Sequence, residues 1–395
     1  MVEDFLKILL LAGVSYLFYL GFTTNGLFSV ANIRSLIQGP SSVRREEERL
    51  REAIATFAQF RNLAQSEEQR MQKSFTKLGR YYKRVASDVG YPVKLQRLSK
   101  ANEANSKVAE RIAHLAISQH NLNITFTPAS GNELSKVREA FKHYVRDWST
   151  EGAKERKVIF GPILAALSEI LQESGLSSAN ELDVLVPGSG LGRLAWETHE
   201  MGFRTTAVEL SPFMNIAFNF LLSPDHTAKP FQHKIQPHAH WFSHQRSNEA
   251  LFRTVAFPDV LPRLSETFLI LADDFMRLQQ STRNLSDGLT KSGYDVVVTL
   301  FFIDTSLNII ATLEQIHRLL RPGGRWINLG PLLWTGGFQS SLELSLEEVL
   351  RSVDLIGFDI DEKTRRSIDC EYTADGAAMM RWIYEAEFWV AQKRS

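Results

Sequence analysis

Cysteine is nearly absent from this chain of 395 residues, and Cys370 is the only one. A single thiol excludes an intrachain disulfide framework and a zinc site built on paired cysteines, and it fits a reducing compartment. Net charge is absent as well, with 45 Lys and Arg set against 45 Asp and Glu. The chain therefore lacks the overall basic footprint of a nucleic-acid binder, and no nucleic-acid partner is expected. Internal repeats and low-complexity tracts are missing too. What is there, 44% apolar residues with 23 Gly and 13 Pro, suits a globular protein with one large core and an accessory region.

Long apolar runs are also lacking, with one exception. Residues 5–22 read FLKILLLAGVSYLFYLGF, with Lys7 as their one charge, and a run of that length just spans a hydrocarbon core as a helix. Tyr16 and Tyr19 suit an interface, and Arg34, Arg44 and Arg45 follow, which by the positive-inside rule leaves the rest of the chain in the cytosol. A cleaved signal peptide is the main rival, disfavoured by Glu3 and Asp4 ahead of the run and by the lack of a small-residue cleavage site. A buried or interfacial helix is the other. The expectation is a transmembrane helix anchoring a cytosol-facing protein, with a wholly cytosolic protein as the alternative.

After Pro40, Ser41 and Ser42 the chain becomes rich in Glu, Arg, Lys, Gln and Ala up to about His120. Leu50, Ile54, Phe57, Phe60 and Leu63 recur at helical spacing. Two or three long helices are predicted, broken near Gly90, Tyr91 and Pro92, with charges on solvated faces. From Leu182 onward the rhythm changes. Short β-rich runs at 183–187, 205–209, 268–272, 295–301, 326–329, 358–360 and 387–391 alternate with helical stretches such as 191–201, 212–222, 306–320 and 346–353. That alternation implies a largely parallel sheet with helices on both faces. Three regions result: a hydrophobic anchor and linker at 1–38, a helical region at 39–135, and an α/β domain at 136–395.

The sharpest local signal is Asp183-Val-Leu-Val-Pro-Gly-Ser-Gly-Leu-Gly-Arg193. A buried strand runs into Gly188, Gly190 and Gly192 and a helix follows, so the backbone can turn tightly and approach a ligand with no Cβ in the way. Alone, this pattern suits a dinucleotide as well. The next strand ends in Glu209, placed for a ribose diol. The third ends in Ala272-Asp-Asp-Phe275, where Asp274 and Phe275 suit an adenine. The fourth runs through Thr299 to Asp304 at the same sheet edge, and Arg321-Pro-Gly-Gly324 makes a turn before a fifth. Each piece has a plain structural explanation, glycine for turns and acids for helix caps. Together and in this order they resemble class I S-adenosylmethionine-dependent methyltransferases, with a Rossmann-like sheet, more than dehydrogenases.

Longer phrases resemble one group, the carnosine N-methyltransferase family (N2227-like). They are Tyr144-Val-Arg-Asp-Trp148 with Glu151-Gly-Ala-Lys-Glu-Arg156, Val184 through Ala195, Phe301-Phe-Ile-Asp-Thr305, Trp326-Ile-Asn-Leu-Gly-Pro-Leu-Leu333, Glu371-Tyr-Thr373 and Met379-Met380. The resemblance runs from about His143 to Lys393. It implies that Arg146 reaches the methionine carboxylate of S-adenosylmethionine, for which a guanidinium fork is suited. His143, often Gln in the family, would stand nearby. Gly188 and Gly190 would line the methionine portion, Glu209 would hold the ribose, and Asp274 with Phe275 the adenine.

On the acceptor side the resemblance implies that Asp304 binds the imidazole of a histidine-containing dipeptide or peptide and is the catalytic residue. Tyr372 and Tyr384 match two acceptor-binding tyrosines with their twelve-residue separation. Thr335 stands where the family has a substrate-binding histidine, and a threonine brings no positive charge to a carboxylate. Five histidines, His226, His233, His238, His240 and His244, crowd one segment. With no cysteine or paired carboxylate to complete a metal site, they read as a long surface insertion over the acceptor mouth. The function implied is N-methylation of an imidazole nitrogen. A different small-molecule acceptor, or a catalytically silent methyltransferase-like interaction module, are the alternatives, and a homodimer is allowed for.

Overall fold

The computed structural model describes residues 40–122, 133–284 and 290–394. The chain divides into two compact units, residues 1–52 and residues 53–395. The described part of the first is the opening of a helix, α1 (Pro40–Ala58), where Arg51 pairs with Glu47 one turn back. The sheet and every later helix belong to the second.

Three helices follow: α2 (Phe60–Thr76), α3 (Arg80–Asp88) and the long α4 (Tyr91–His120). The break before α4 has a local cause. Gly90 takes a left-handed φ of +84°, and Pro92, which has no N–H to satisfy, sits in the first turn. Next come α5 (Leu134–Trp148) and α6 (Ala153–Ser174), ahead of the first strand.

The sheet begins with β1 (Asp183–Pro187), whose five residues are all buried, as expected for a strand covered on both faces. The chain continues through α7 (Arg193–Glu200), β2 (Arg204–Glu209), α8 (Pro212–Leu222), a hairpin of β3 (His233–Ile235) and β4 (Val255–Phe257) enclosing the short α9 (Asn248–Leu251), then β5 (Phe268–Ala272). A small hairpin, β6 (Thr282–Asn284) with β7 (Thr290–Ser292), precedes β8 (Tyr294–Leu300). The remainder is α10 (Ile309–Leu319), β9 (Leu320–Gly330), α11 (Leu346–Ile356), β10 (Phe358–Ile360), β11 (Arg366–Cys370) and β12 (Tyr384–Lys393).

Across the main sheet the strand order is β10-β12-β9-β8-β1-β2-β5, with β11 paired to β12. From β9 through β5 the strands are parallel, whereas β12 lies antiparallel between β9 and β10. A core of Trp326, Trp389, Phe358, Leu313, Ile316, Val349 and Val353 fills the space between this half of the sheet and α10 with α11. β1 has β2 on one side and β8 on the other, so chain direction reverses at the β1/β8 crevice, where open α/β sheets bind their ligands.

α5 is fastened to the β1 end by polar bonds in a dry setting. Trp148 Nε1 donates to the Leu191 carbonyl at 2.9 Å, and the Tyr144 hydroxyl donates to the Ala217 carbonyl at 2.7 Å. The Asp259 carboxylate accepts from Arg156 and from Arg193, each at 2.6 Å, and those guanidinia also donate to the Arg146 and Asp147 carbonyls.

The fold corrects one expectation. Among the described residues no helix is long and apolar enough to cross a membrane, so the expected transmembrane helix is not found among them. Even α4, with 30 residues, carries Lys94, Arg97, Lys100, Glu103, Lys107 and Glu110 along it, charges that a hydrocarbon core would not accept. Residues 5–22, on which that expectation rested, lie outside the described residues. The histidine-rich segment also differs from a free surface insertion. His233 and His238 are buried, and the segment packs on α4 through Leu98, Ala101, Ala239, Leu251 and Phe252. Asn105 pins it by a pair of bonds to the Gln236 backbone.

Replacing Asp259 with Ala removes the carboxylate from the buried Arg156 guanidinium, while Arg193 keeps Glu197 at 2.7 Å; breaking the one unshared pair costs about 3 kcal/mol. Urea unfolding should show a correspondingly lower midpoint with an unchanged slope.

Candidate active site

The turn after β1 has three glycines with positive φ: Gly188 at +61°, Gly190 at +55° and Gly192 at +72°. Each is required for a different reason. A Cβ on Gly188 would fall 2.5 Å from the Phe302 ring, and one on Gly192 would fall 2.2 Å from the Phe218 ring. At Gly190 there is room, with the His143 Nδ1 at 3.7 Å, so backbone conformation alone selects glycine.

Glu209 closes this turn from the tip of β2. Its carboxylate accepts from the Gly190 N–H at 2.8 Å and the Ser211 N–H at 2.7 Å. Burial pushes its pKa up, against the pull of these backbone donors. Two lone-pair positions remain for a diol. Beside it, β5 delivers Asp273, whose N–H donates to the Glu209 carbonyl at 3.2 Å. Asp274 then caps a helical turn by accepting from the Met276 N–H at 2.9 Å, and its other oxygen lies 3.7 Å from Arg277. The Phe275 ring is buried edge-on against Phe302 at 5.2 Å. Gly188, Phe302 and Phe275 thus form one stack. Phe302 lies within a phrase the sequence singles out, but only its acidic neighbour Asp304 drew attention there.

Three buried polar side chains project from the end of α5. Arg146 donates to both oxygens of Asp147, at 2.7 and 3.2 Å, and the His143 Nδ1 lies 3.3 Å from Asp147 Oδ2. Burial works to raise the Asp147 carboxyl, but the Arg146 guanidinium and the His143 hydrogen bond outweigh it and hold the group well below the usual range. Arg146 is therefore ion-paired to a neighbouring acid, and the pair is buried rather than on the surface. Asp147 is the residue that sequence reasoning missed, because a carboxylate next to an arginine in a helix looks like a solvated ion pair.

Tyr372 meets this group from the far end of the chain. Its hydroxyl is 3.3 Å from His143 Nε2, and the Arg146 Cζ sits 4.7 Å from its ring centre. Glu155 holds the following loop by accepting from the Thr373 and Ala374 N–H groups at 2.8 and 3.3 Å. Phe301, at a left-handed φ of +49°, places its ring 4.9 Å from Tyr372 and 5.7 Å from Tyr384. Such a backbone conformation is unusual for a bulky residue and is held here by strand-end bonding, with the Phe301 N–H donating to the Leu329 carbonyl at 2.8 Å. Three residues on, Asp304 is buried and accepts from the Leu333 N–H at 3.1 Å. Burial pushes its carboxyl up to about 6 despite that donor. The Thr335 N–H donates to the Asp304 carbonyl at 3.3 Å, while its side chain is exposed.

The histidine-rich segment reaches the same loop. Met379 N–H donates to the His244 carbonyl, and Arg253 bridges Glu151 and Asp375. His238 packs beside Asp375, with Nδ1 at 3.5 Å, and burial pushes it down to about 4, so it is neutral at pH 7. Among the described residues no group of three or more His, Cys, Asp or Glu side chains converges as a metal site would need.

A glycine turn at the sheet's switch point, an acid at the tip of the next strand and a buried carboxylate past the end of β8 are the features of a methyltransferase of the S-adenosylmethionine-dependent class. Known proteins agree. The carnosine N-methyltransferase family matches residues 124–395. A carnosine N-methyltransferase of Schizosaccharomyces pombe is 32% identical over 366 residues, covering 87% of this chain and 95% of that protein. One from Mus musculus is 31% identical over 316 residues, covering 77% and 76%, and the one named unmet in Drosophila melanogaster is 34% identical over 281 residues, covering 69% and 59%. The chain belongs to the carnosine N-methyltransferase family.

Glu209→Gln turns an amide N–H toward a backbone donor in place of a shared oxygen. Loss of a charged hydrogen bond is worth about 1.5–3 kcal/mol, so calorimetry should show affinity for S-adenosylhomocysteine falling ten- to hundredfold.

Proposed function

We propose that this protein transfers a methyl group from S-adenosylmethionine to an imidazole nitrogen of carnosine or a related histidine-containing dipeptide or peptide. The observation that carries this reading is Asp304: a buried carboxylate that burial pushes up to about 6, three residues beyond Phe301, whose ring contacts both Tyr372 and Tyr384. The family relationship supplies the reaction class.

The residues at the glycine turn fit the methyl donor. At Gly190 an added Cβ would meet nothing closer than the His143 ring at 3.7 Å, so the turn is open there, and the Glu209 carboxylate beside it is held by backbone donors. Arg146, with N–H groups beyond the two that Asp147 takes, would hold the methionine carboxylate, with His143 and Gly190 alongside. Glu209 would take the ribose hydroxyls, and Asp274 and Phe275 the adenine end. Bound there, S-adenosylmethionine supplies an electrophilic methyl group on a sulfonium.

The rest is positioning and charge. Above pH 6 the Asp304 carboxylate is ionised and accepts a hydrogen bond from the N–H of the acceptor's imidazole. That bond fixes the tautomer and leaves the other ring nitrogen with its lone pair in the ring plane, ready for in-line attack. As the new N–C bond forms, the methyl carbon's bond to sulfur would break and the pair would stay on sulfur as a neutral thioether. The ring turns cationic, a carboxylate in a dry site stabilises that charge, and the ring N–H proton then leaves through Asp304. Tyr372 and Tyr384, held around the Phe301 ring, would line the acceptor's site. Thr335 contributes a hydroxyl but no charge, so the acceptor's carboxylate relies on other groups.

Asp304→Asn should lower turnover about a hundredfold or more while S-adenosylhomocysteine still raises the melting temperature as in the wild type; equal loss of turnover and donor binding would remove Asp304 from the chemistry. Below pH 6 both Asp304 and the free acceptor's imidazole take up protons. The logarithm of kcat/KM for carnosine should then fall with a limiting slope of two in the wild type and of one in Asp304→Asn. Thr335→His adds a cation beside the site and should lower the KM for carnosine several-fold.

A further inference from the structure

Between the donor-binding and acceptor-binding residues lies a chain of contacts that neither role explains. Asp147, His143 and Arg146 are 1%, 4% and 8% exposed. Asp147 is ionised, because Arg146 and His143 hold its pKa well down against burial, so it can only accept. The hydrogen in the 3.3 Å contact between His143 Nδ1 and Asp147 Oδ2 therefore belongs to the imidazole. A neutral imidazole protonated on Nδ1 leaves Nε2 as a lone pair. Nε2 is 3.3 Å from the Tyr372 hydroxyl, which donates to it when the ring carries its one proton on Nδ1. Burial raises the Tyr372 pKa, in keeping with a hydroxyl that keeps its proton. The Tyr372 ring is clamped as well, edge-on to His143 at 5.7 Å and with Arg146 over its face. Two further carboxylates act on His143: Glu139, which lies 3.7 Å from Nε2, beyond hydrogen-bond distance, and is taken up by Lys142 at 3.1 Å, and Glu209, whose own carboxyl burial pushes up and His143 draws down.

We propose that His143 is a positioning residue: its tautomer, set by Asp147, commits the Tyr372 hydroxyl proton inward, so that Tyr372 faces the methyl acceptor as a hydrogen-bond acceptor only. Tyr372 then selects for a nitrogen-bound hydrogen on the acceptor, its imidazole N–H or an ammonium, and rejects a carboxylate oxygen at that point. A buried group of fixed polarity discriminates far better than one free to rotate, since the wrong partner leaves two lone pairs facing each other. This consequence for selectivity rests on the acceptor reading given above. The hydrogen-bond arrangement does not.

Two measurements separate the arrangement from the reading. Long-range proton–nitrogen NMR on histidine-labelled protein, with the His143 signal assigned from its loss in His143→Gln, should show the Nδ1–H tautomer at pH 7.5. The Nε2 resonance should move in Tyr372→Phe, and the tautomer should change in Asp147→Asn. An Nε2–H tautomer or an imidazolium in the wild type overturns the proposal, whatever the acceptor is. Calorimetry with carnosine at saturating S-adenosylhomocysteine then tests the selectivity. Tyr372→Phe and His143→Leu should each weaken carnosine about tenfold. The double variant should be no weaker than either single one, and His143→Gln, whose amide oxygen can accept from Tyr372, should restore affinity to within about threefold. Additive losses, or a His143→Leu variant that binds carnosine normally, overturn it. Wild-type protein that binds S-adenosylhomocysteine but no carnosine defeats the acceptor reading, and the NMR result still decides the arrangement.

Discussion

The joint on which this molecule depends is the half-buried carboxylate of Asp259, shared between the buried guanidinia of Arg156 and Arg193. Arg193 opens the helix after the glycine turn, and Arg156 lies in the helix after α5. Through their further bonds to the Asp147 and Arg146 carbonyls, the two guanidinia tie the end of α5 to the mouth of β1. Everything polar in the site is referred to that position. If α5 slid by one turn, about 5.4 Å, His143 and Arg146 would no longer face Tyr372 and the glycine turn.

Buried charge of this kind is a poor source of net stability, because desolvation offsets most of the attraction. Its use here is in geometry. Two planar forks on one carboxylate leave little freedom of angle, and the bonds from Trp148 to Leu191 and from Tyr144 to Ala217 fix rotation about the helix axis. A related arrangement occurs nearer the glycine turn, where Arg146 spans both oxygens of Asp147 and His143 shares Oδ2. A well-fastened helix carrying a satisfied polar cluster keeps catalytic groups in place without help from ligand.

Much of this was legible in the chain. Strand and helix periods announce the parallel half of the sheet, and the run from Asp183 to Arg193 announces the turn, because tight backbone approach leaves glycine as the residue that fits. What stayed hidden has physical reasons. The antiparallel placement of β12 depends on pairing with strands far away in sequence, which no local pattern encodes. The short hairpins β3–β4 and β6–β7 have three residues per strand, too few for a period. Phe301 and Phe302 read as core aromatics, and only the left-handed turn at Phe301 separates them into an acceptor-side ring and one that packs beneath the glycine turn. Asp147 reads as a surface acid until burial is known. The histidine-rich segment looks like a loose lid by composition, yet Asn105 and the apolar residues of α4 seat it firmly. The apolar run at 5–22 has no counterpart in the described architecture, whose long helices stay charged along one side.

The placement of β12 bears on how the protein can be made. It is the last strand in sequence and lies inside the sheet, bonded to β9 on one side and to β10 and β11 on the other. A ribosome-bound chain lacking it holds β9 with an open edge and β10 with no neighbour. Tyr384, at its first residue, and Tyr372, in the loop before it, are then not yet in place. Synthesis must therefore run through β12 before the main sheet can close. During that interval the exposed edge of β9, with Trp326, Ile327 and Leu329 along it, is the surface most in need of a chaperone.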